Sequence, residues 1–144
     1  MLIIEKKPLD EMYEDALQSF PNECCGFVFG KEIGEETIIT DLLTVNNSKE
    51  GDKRRRFEIA PKDYINAERF ADEKELQLLG VYHSHPNHPA IPSEHDRIAA
   101  QPFFSYIIIS VKPEEIAAIR SWQLNDNLQF QEETIENQSI NQNK

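Results

Sequence analysis

The stretch HSHPNHPAIPSEHD, His83–Asp96, contains all four histidines of the chain in a run stiffened by Pro86, Pro89 and Pro92. The residues before it, LQLLGVY, read as a buried strand running straight into His83. In a strand, residues i and i+2 point to the same face. His83 and His85 therefore present two imidazoles on one side, and both can reach one ion with bonds of about 2.0–2.1 Å. Ser93 reads as the N-cap of a short helix, SEHDRIAAQ. Asp96 sits at its third position, where the helix dipole favours a carboxylate. If the intervening PNHPAIP folds back, Asp96 meets the two histidines. A His, His, Asp set leaves a fourth tetrahedral position for water, which is the catalytic pattern; structural zinc usually takes four ligands, most often with thiolates. An isolated His-x-His is a weak signal, and Ser93 and Asp96 also suit an ordinary helix start. The weight lies in the joint pattern. His88 and His95 are expected to face solvent.

Working outward, the 144 residues suit one domain with a real core, residues 1–136, followed by a polar, frayed tail over 137–144. LIIEK opens the chain as a strand. PLDEMYEDALQSFP follows as a helix, with Leu9, Met12, Tyr13, Ala16, Leu17 and Phe20 at helical spacing and Pro21 as its stop. CCGFVFG and TIITDLLTVNN read as strands, SKEGDKRRR as a loop and FEIAP as a short strand. PKDYINAERFADEKE is predicted helical, with Tyr64, Ala67, Phe70 and Ala71 on one face and Pro61 in its first turn. After the histidines, FFSYIIISV and EIAAIRSWQL read as strands and LQFQEETIE as a weaker one. No repeat and no domain boundary appears. The expected fold class is α+β, a central, mostly antiparallel sheet flanked by helices.

The net charge of −11 argues against nucleic acid as a partner, because phosphate binding needs a basic face. The one basic cluster, Lys53–Arg56, reads as a solvated loop or as a contact for an acidic partner surface. No run of about 18 apolar residues suggests a membrane span, and the N-terminus lacks the pattern of a signal peptide. Cys24 and Cys25 are adjacent, give no disulfide framework and are expected to pack as small apolar groups. A reducing cytoplasm is the expected compartment. A catalytic metal needs a nearby carboxylate to move protons; from the residues alone Glu23, Glu94 and several others remain open.

The spacing His-x-His, seven residues, Ser, two residues, Asp, with an upstream Glu-x-x-Gly in ECCGFVFG, resembles the JAMM/MPN+ zinc metalloprotease family. The resemblance extends from Pro8 to Leu124. GVYHSHPNHPAIPSEHD and QPFFSYIIISV look like its small bacterial branch associated with sulfur carriers. It implies the MPN/JAMM (cytidine-deaminase-like) fold and one Zn2+ held by His83, His85 and Asp96. It also implies Glu23 as the proton carrier and Ser93 as a donor to the developing oxyanion. One Ser93 hydroxyl is not expected to serve easily as both cap and oxyanion donor. The implied activity is cleavage after the C-terminal Gly-Gly of a small ubiquitin-like sulfur-carrier protein. The alternatives are a deubiquitinase-like isopeptidase, disfavoured by the lack of long insertions, and a non-catalytic MPN-type binding module, disfavoured by the full Glu, His, His, Ser, Asp set.

Overall fold

The computed structural model describes residues 1–49, 51–53 and 57–137. Its elements run β1 (Leu2–Ile4), α1 (Lys6–Ser19), β2 (Cys25–Ile33), β3 (Glu36–Val45), α2 (Pro61–Lys74), β4 (Gln77–Pro86), α3 (Glu94–Ala99), β5 (Ser105–Lys112), β6 (Glu115–Leu124), β7 (Phe130–Glu133) and β8 (Ile135–Asn137). The strands form one sheet in the order β7-β6-β5-β4-β2-β3-β1-β8. Pairing is antiparallel at β2–β3, β2–β4, β5–β6 and β6–β7, and parallel at β1–β3, β1–β8 and β4–β5. The expected α+β class with a mostly antiparallel sheet is what the chain adopts.

Strand alternation sorts the core into two layers. On one face Leu9, Met12 and Ala16 of α1 pack with Cys24, Val28, Tyr82, Ile107 and Ile109. On the other, Ala67 and Ala71 of α2 pack with Phe27, Phe29, Val81 and Tyr106, with Tyr64 and Phe70 half-buried against them. β4 and β5 lie near the middle of the sheet and are buried on both faces, which accounts for their nearly unbroken apolar sequence. Gly26 is needed where β2 passes under Tyr82: a Cβ there would lie 2.4 Å from the Tyr82 ring and 2.5 Å from the Leu43 carbonyl oxygen. That close approach lets the Tyr82 hydroxyl reach across and donate to Asp15 Oδ2 at 2.6 Å.

Three expectations change. FEIAP forms no strand: Phe57–Ala60 is irregular, with the Glu58 amide bonded to Asn47 Oδ1 at 3.0 Å, the Glu58 carbonyl to the Ser48 amide at 2.9 Å and the Ala60 carbonyl to the Asp63 amide at 2.9 Å. The weak final strand divides in two, because β7 pairs with β6 while β8 crosses to the far edge of the sheet beside β1. Leu17 is exposed, not part of the buried face of α1. Arg54–Arg56 and residues 138–144 lie outside the described residues. No helix among the described residues is long and apolar enough to cross a membrane.

Candidate metal centre

The register of β2 against β4 builds the site. Cys25 pairs with His83, so the residues just before Cys25 run beside the residues just after His83. Glu23, some sixty positions from the histidines in sequence, thereby arrives next to them. Its carboxylate oxygen and one ring nitrogen of each of His83 and His85 all lie within 4.8 Å of one another, and all three residues are buried.

Asp96 closes the set from α3. Its Oδ2 lies 3.4 Å from His83 Nε2 and 3.3 Å from His85 Nε2, and the two nitrogens are 3.1 Å apart. Bonds of about 2.0–2.1 Å in tetrahedral geometry separate ligand atoms by about 3.3–3.4 Å. The triangle therefore fits a zinc-sized ion with little adjustment. The Glu23 carboxylate also lies within 4.8 Å of both ring nitrogens, so two carboxylates, Asp96 and Glu23, stand beside the histidine pair. The donor set of two imidazoles and a carboxylate suits zinc.

Each of these three side chains is oriented by a second contact. His85 Nδ1 lies 2.9 Å from the Pro89 carbonyl oxygen. The carbonyl accepts, so Nδ1 carries the proton and Nε2 keeps its lone pair for the site. The His83 ring stacks on Phe57 at 4.4 Å, and its buried Nδ1 has no hydrogen-bond partner among the described residues. Asp96 and Ser93 form a capping box: the Ser93 amide donates to Asp96 Oδ2 at 2.9 Å and the Asp96 amide donates to Ser93 Oγ at 3.1 Å. Only a lone pair of the Ser93 hydroxyl is used in the cap. Its proton stays available, so capping and donation do not compete.

The electrostatics follow from burial and mutual contact. Burial pushes the Glu23 carboxyl up to about 8; His85 pulls it down and Asp96 adds to the rise. Burial also opposes ionisation of Asp96, but hydrogen bonds from His83 and His85 overcome it and hold that carboxyl well below the usual carboxylate range. Burial lowers His83 despite Asp96. For His85 burial acts downward too, but Asp96 and the Pro89 carbonyl outweigh it and the net shift is upward.

Two cavities flank the centre. One of about 500 Å³ is bounded by Glu23, His85, His88, Pro89, Ile91 and Ser93. The other, about 260 Å³, lies on the His83 and Asp96 side against Phe57, Ile59, Tyr64, Tyr106 and His95. His88 is exposed, in line with the expectation. His95 is not solvent-facing: it is half-buried and forms part of the wall of the cavity that His83 and Asp96 also line. Glu94 points elsewhere, paired with Arg97 on the exposed side of α3. Cys24 and Cys25 are free, buried thiols. Burial pushes Cys25 up to about 12 and Cys24 higher, so both stay protonated and unreactive.

Residues 5–125 match the family described as prokaryotic homologs of the JAB domain. The chain belongs to this JAMM/MPN family. Among individual proteins, it is 34% identical over 74 residues to a desampylase from Pyrococcus furiosus, covering 51% of this chain and 49% of that one. It is 28% identical over 94 residues to tail tip assembly protein K of Escherichia phage N15, covering 65% of this chain and 34% of that protein. The chain thus spans about half the length of the first and about a third of the second. A solution structure of a Desulfitobacterium hafniense protein superimposes with a TM-score of 0.83 at 30% identity, covering 95% of this chain and 92% of that one. A Salinibacter ruber protein gives 0.69 at 31% identity, covering 92% and 90%. A JAB1/MPN domain protein from Archaeoglobus fulgidus gives 0.58 at 18% identity, covering 93% and 96%, a likeness of fold alone.

Four supporting residues carried no sequence signal. Ser110 Oγ donates to the His88 carbonyl at 2.6 Å, and Trp122 Nε1 donates to the Ala90 carbonyl at 3.1 Å. Asn47 Nδ2 donates to the Glu23 carbonyl at 3.1 Å, and Phe57 stacks on His83. All act across the sheet or between loops, where no local spacing reveals them.

Proposed function

We propose that this chain is a zinc-dependent peptidase of JAMM type that cuts the bond following the C-terminal Gly-Gly of a small ubiquitin-like, sulfur-carrier protein. The observation that carries the reading is the triangle of His83, His85 and Asp96 at tetrahedral ligand spacing, with a buried carboxyl, Glu23, beside it. Zinc held there supplies a Lewis acid and lowers the pKa of a coordinated water to about 7. Glu23 takes the proton of the attacking water and passes it to the departing amine nitrogen. A carboxyl raised by burial is suited to hold a proton near neutral pH and release it. The new C–O bond forms as the C–N bond breaks, and the products are the carrier's free carboxylate and an amine. Ser93 donates its hydroxyl proton to the carbonyl oxygen as that oxygen gains charge.

The similarity to a desampylase supports a small ubiquitin-like protein as the substrate. An extended tail can pair with main-chain groups. The amide and carbonyl of Ile59, at the wall of the apolar cavity, bond to no described residue and offer such an edge. The test is incubation of the zinc-loaded chain with a folded carrier bearing a C-terminal extension, beside a free peptide of the same terminal sequence, read by mass spectrometry. The carrier is expected to be cut after Gly-Gly, and far faster than the peptide. Equal rates, or a cut elsewhere, would sink the carrier reading; no cleavage of either would sink the peptidase reading.

A further inference from the structure

We infer that Ser84, the residue between the two histidine ligands, is a positioning residue for Glu23. The inference rests on the reading of Glu23 as the proton carrier. Carried one step beyond the Cys25–His83 pair, the β2–β4 register sets Cys24 opposite Ser84; a second step sets Glu23 opposite His85. In a regular antiparallel ladder a hydrogen-bonded pair exchanges two main-chain bonds. Only one is present here: the Ser84 amide donates to the Cys24 carbonyl at 3.1 Å. The Cys24 amide donates instead to Ser84 Oγ, at 2.9 Å. The hydroxyl stands in for the main-chain acceptor at the residue where β2 leaves the ladder. Ser84 is fully buried and Cys24 nearly so, so no solvent can replace that acceptor.

Beyond this point the main chain of Glu23 takes its bonds from the neighbouring loop, not from β4. Its amide donates to the Lys53 carbonyl at 2.7 Å and its carbonyl accepts from Asn47 Nδ2 at 3.1 Å. The Ser84 clamp is therefore the last fixed point between the sheet and the Glu23 carboxyl. The side chain of Ser84 points to the α1 face while its neighbours His83 and His85 point to the metal, so it touches neither ion nor substrate. The histidines are held independently by the parallel ladder to Ile108 and Ser110 of β5 and by the Pro89 carbonyl. Loss of the hydroxyl should displace Glu23 and leave the ligand set in place.

The experiment combines Ser84→Ala, Ser84→Thr and Ser84→Cys with Glu23→Gln in the full chain. Ser84→Ala is expected to bind one zinc with affinity near wild type and to lose about tenfold or more in kcat with little change in KM, as expected for a misplaced proton carrier. Ser84→Thr keeps the acceptor and should recover most of the rate. Ser84→Cys, a weaker acceptor of similar size, should fall between, and it stands in if the alanine variant does not fold. In the Glu23→Gln background, Ser84→Ala should cost nothing further, because both changes act through one group. A readout without cleavage is the ¹³C shift of the Glu23 carboxyl on adding zinc, with the imidazole ¹⁵N shifts reporting ligation. That carboxyl response should shrink in Ser84→Ala, return in Ser84→Thr, and accompany unchanged histidine shifts. An equal response in Ser84→Ala and wild type, or additive rate losses in the double variant, would overturn the assignment. A wild-type chain that cleaves nothing counts against the peptidase reading alone, and the carboxyl response then decides the role of Ser84.

Discussion

The loop from His85 to Ser93 is braced by the strands beside it, whereas the described residues of the segment between β3 and α2 are tied together by one of their own side chains, Asn47. In the first, the His88 carbonyl accepts from Ser110, the Ala90 carbonyl from Trp122, and the Asn87 amide donates to the Val111 carbonyl. These anchors sit on β5 and β6, in the body of the sheet. In the second, the Asn47 carboxamide accepts from the amides of Lys49 and Glu58 and donates to the Glu23 carbonyl. Ser93, at the end of the first loop, inherits the rigidity of the sheet. Glu23 shares its main-chain bonds with the second loop and depends on how well that loop is set. The candidate centre thus has a stiff side, tied to the sheet around His85 and Ser93, and a side whose described bonds are more local, at Glu23.

The largest effect belongs to the stiff side. His83→Ala or Asp96→Ala should remove most of the zinc and bring cleavage to background, because two protein ligands hold zinc poorly. Elemental analysis of protein purified without chelator checks this. A variant that keeps a full zinc complement would show that the triangle is not the metal site.

Next is Glu23→Gln, which should keep zinc and fold while losing roughly 10²–10⁴ in kcat, since an amide cannot carry the proton. Steady-state kinetics beside metal content separates the two. A rate equal to wild type would move the proton carrier elsewhere, with Glu94 then tested in turn.

The comparison itself is tested by Asn47→Ala against Trp122→Phe. Asn47→Ala strips the acceptor from two amides and the donor from the Glu23 carbonyl; we expect about 1–3 kcal/mol of lost stability and a fall in kcat. Trp122→Phe removes one bond to the Ala90 carbonyl, and we expect about 0.5–1.5 kcal/mol with the other loop anchors still in place. Denaturant melts and kcat decide the order. If Trp122→Phe is the more damaging to rate, the contrast between the two sides has been assigned wrongly.

A last expected effect is in the pH dependence of stability of the metal-free chain. Burial raises the Glu23 carboxyl from 4.5 to about 8, so the folded chain keeps a proton that the unfolded chain gives up. The stabilisation from that retained proton is complete below the unfolded value and is lost as pH rises toward the folded one. Glu23→Gln should therefore gain on wild type steadily between pH 5 and pH 8. Melting curves at matched pH values test the sign; a difference that shrinks over this window would mean that the carboxyl is not raised by burial.

Much of the centre was legible in the sequence because it is local. The two-residue period of a strand puts His83 and His85 on one side, and a serine three positions before an acid marks a helix start. Ser93 and Asp96 form the cap that this spacing describes. Glu23, the proposed proton carrier, was not legible from the residues alone. The choice of Glu23 over Glu94 came from the family resemblance, and its physical basis is the pairing of β2 with β4, a contact between segments about sixty residues apart. Likewise, FEIAP has the composition of a strand but meets no continuous partner edge, and His95 has the composition of a surface residue but forms part of the wall of the cavity that His83 and Asp96 also line. Composition and spacing by themselves determined the α+β class, the shared face of His83 and His85 and the Ser93–Asp96 cap, since helix caps and strand faces depend on neighbours along the chain. Only the tertiary structure decided which carboxyl stands beside the histidines, which loop is stiff and which residues brace it, because hydrogen-bond partners and burial are set by strand order across the sheet.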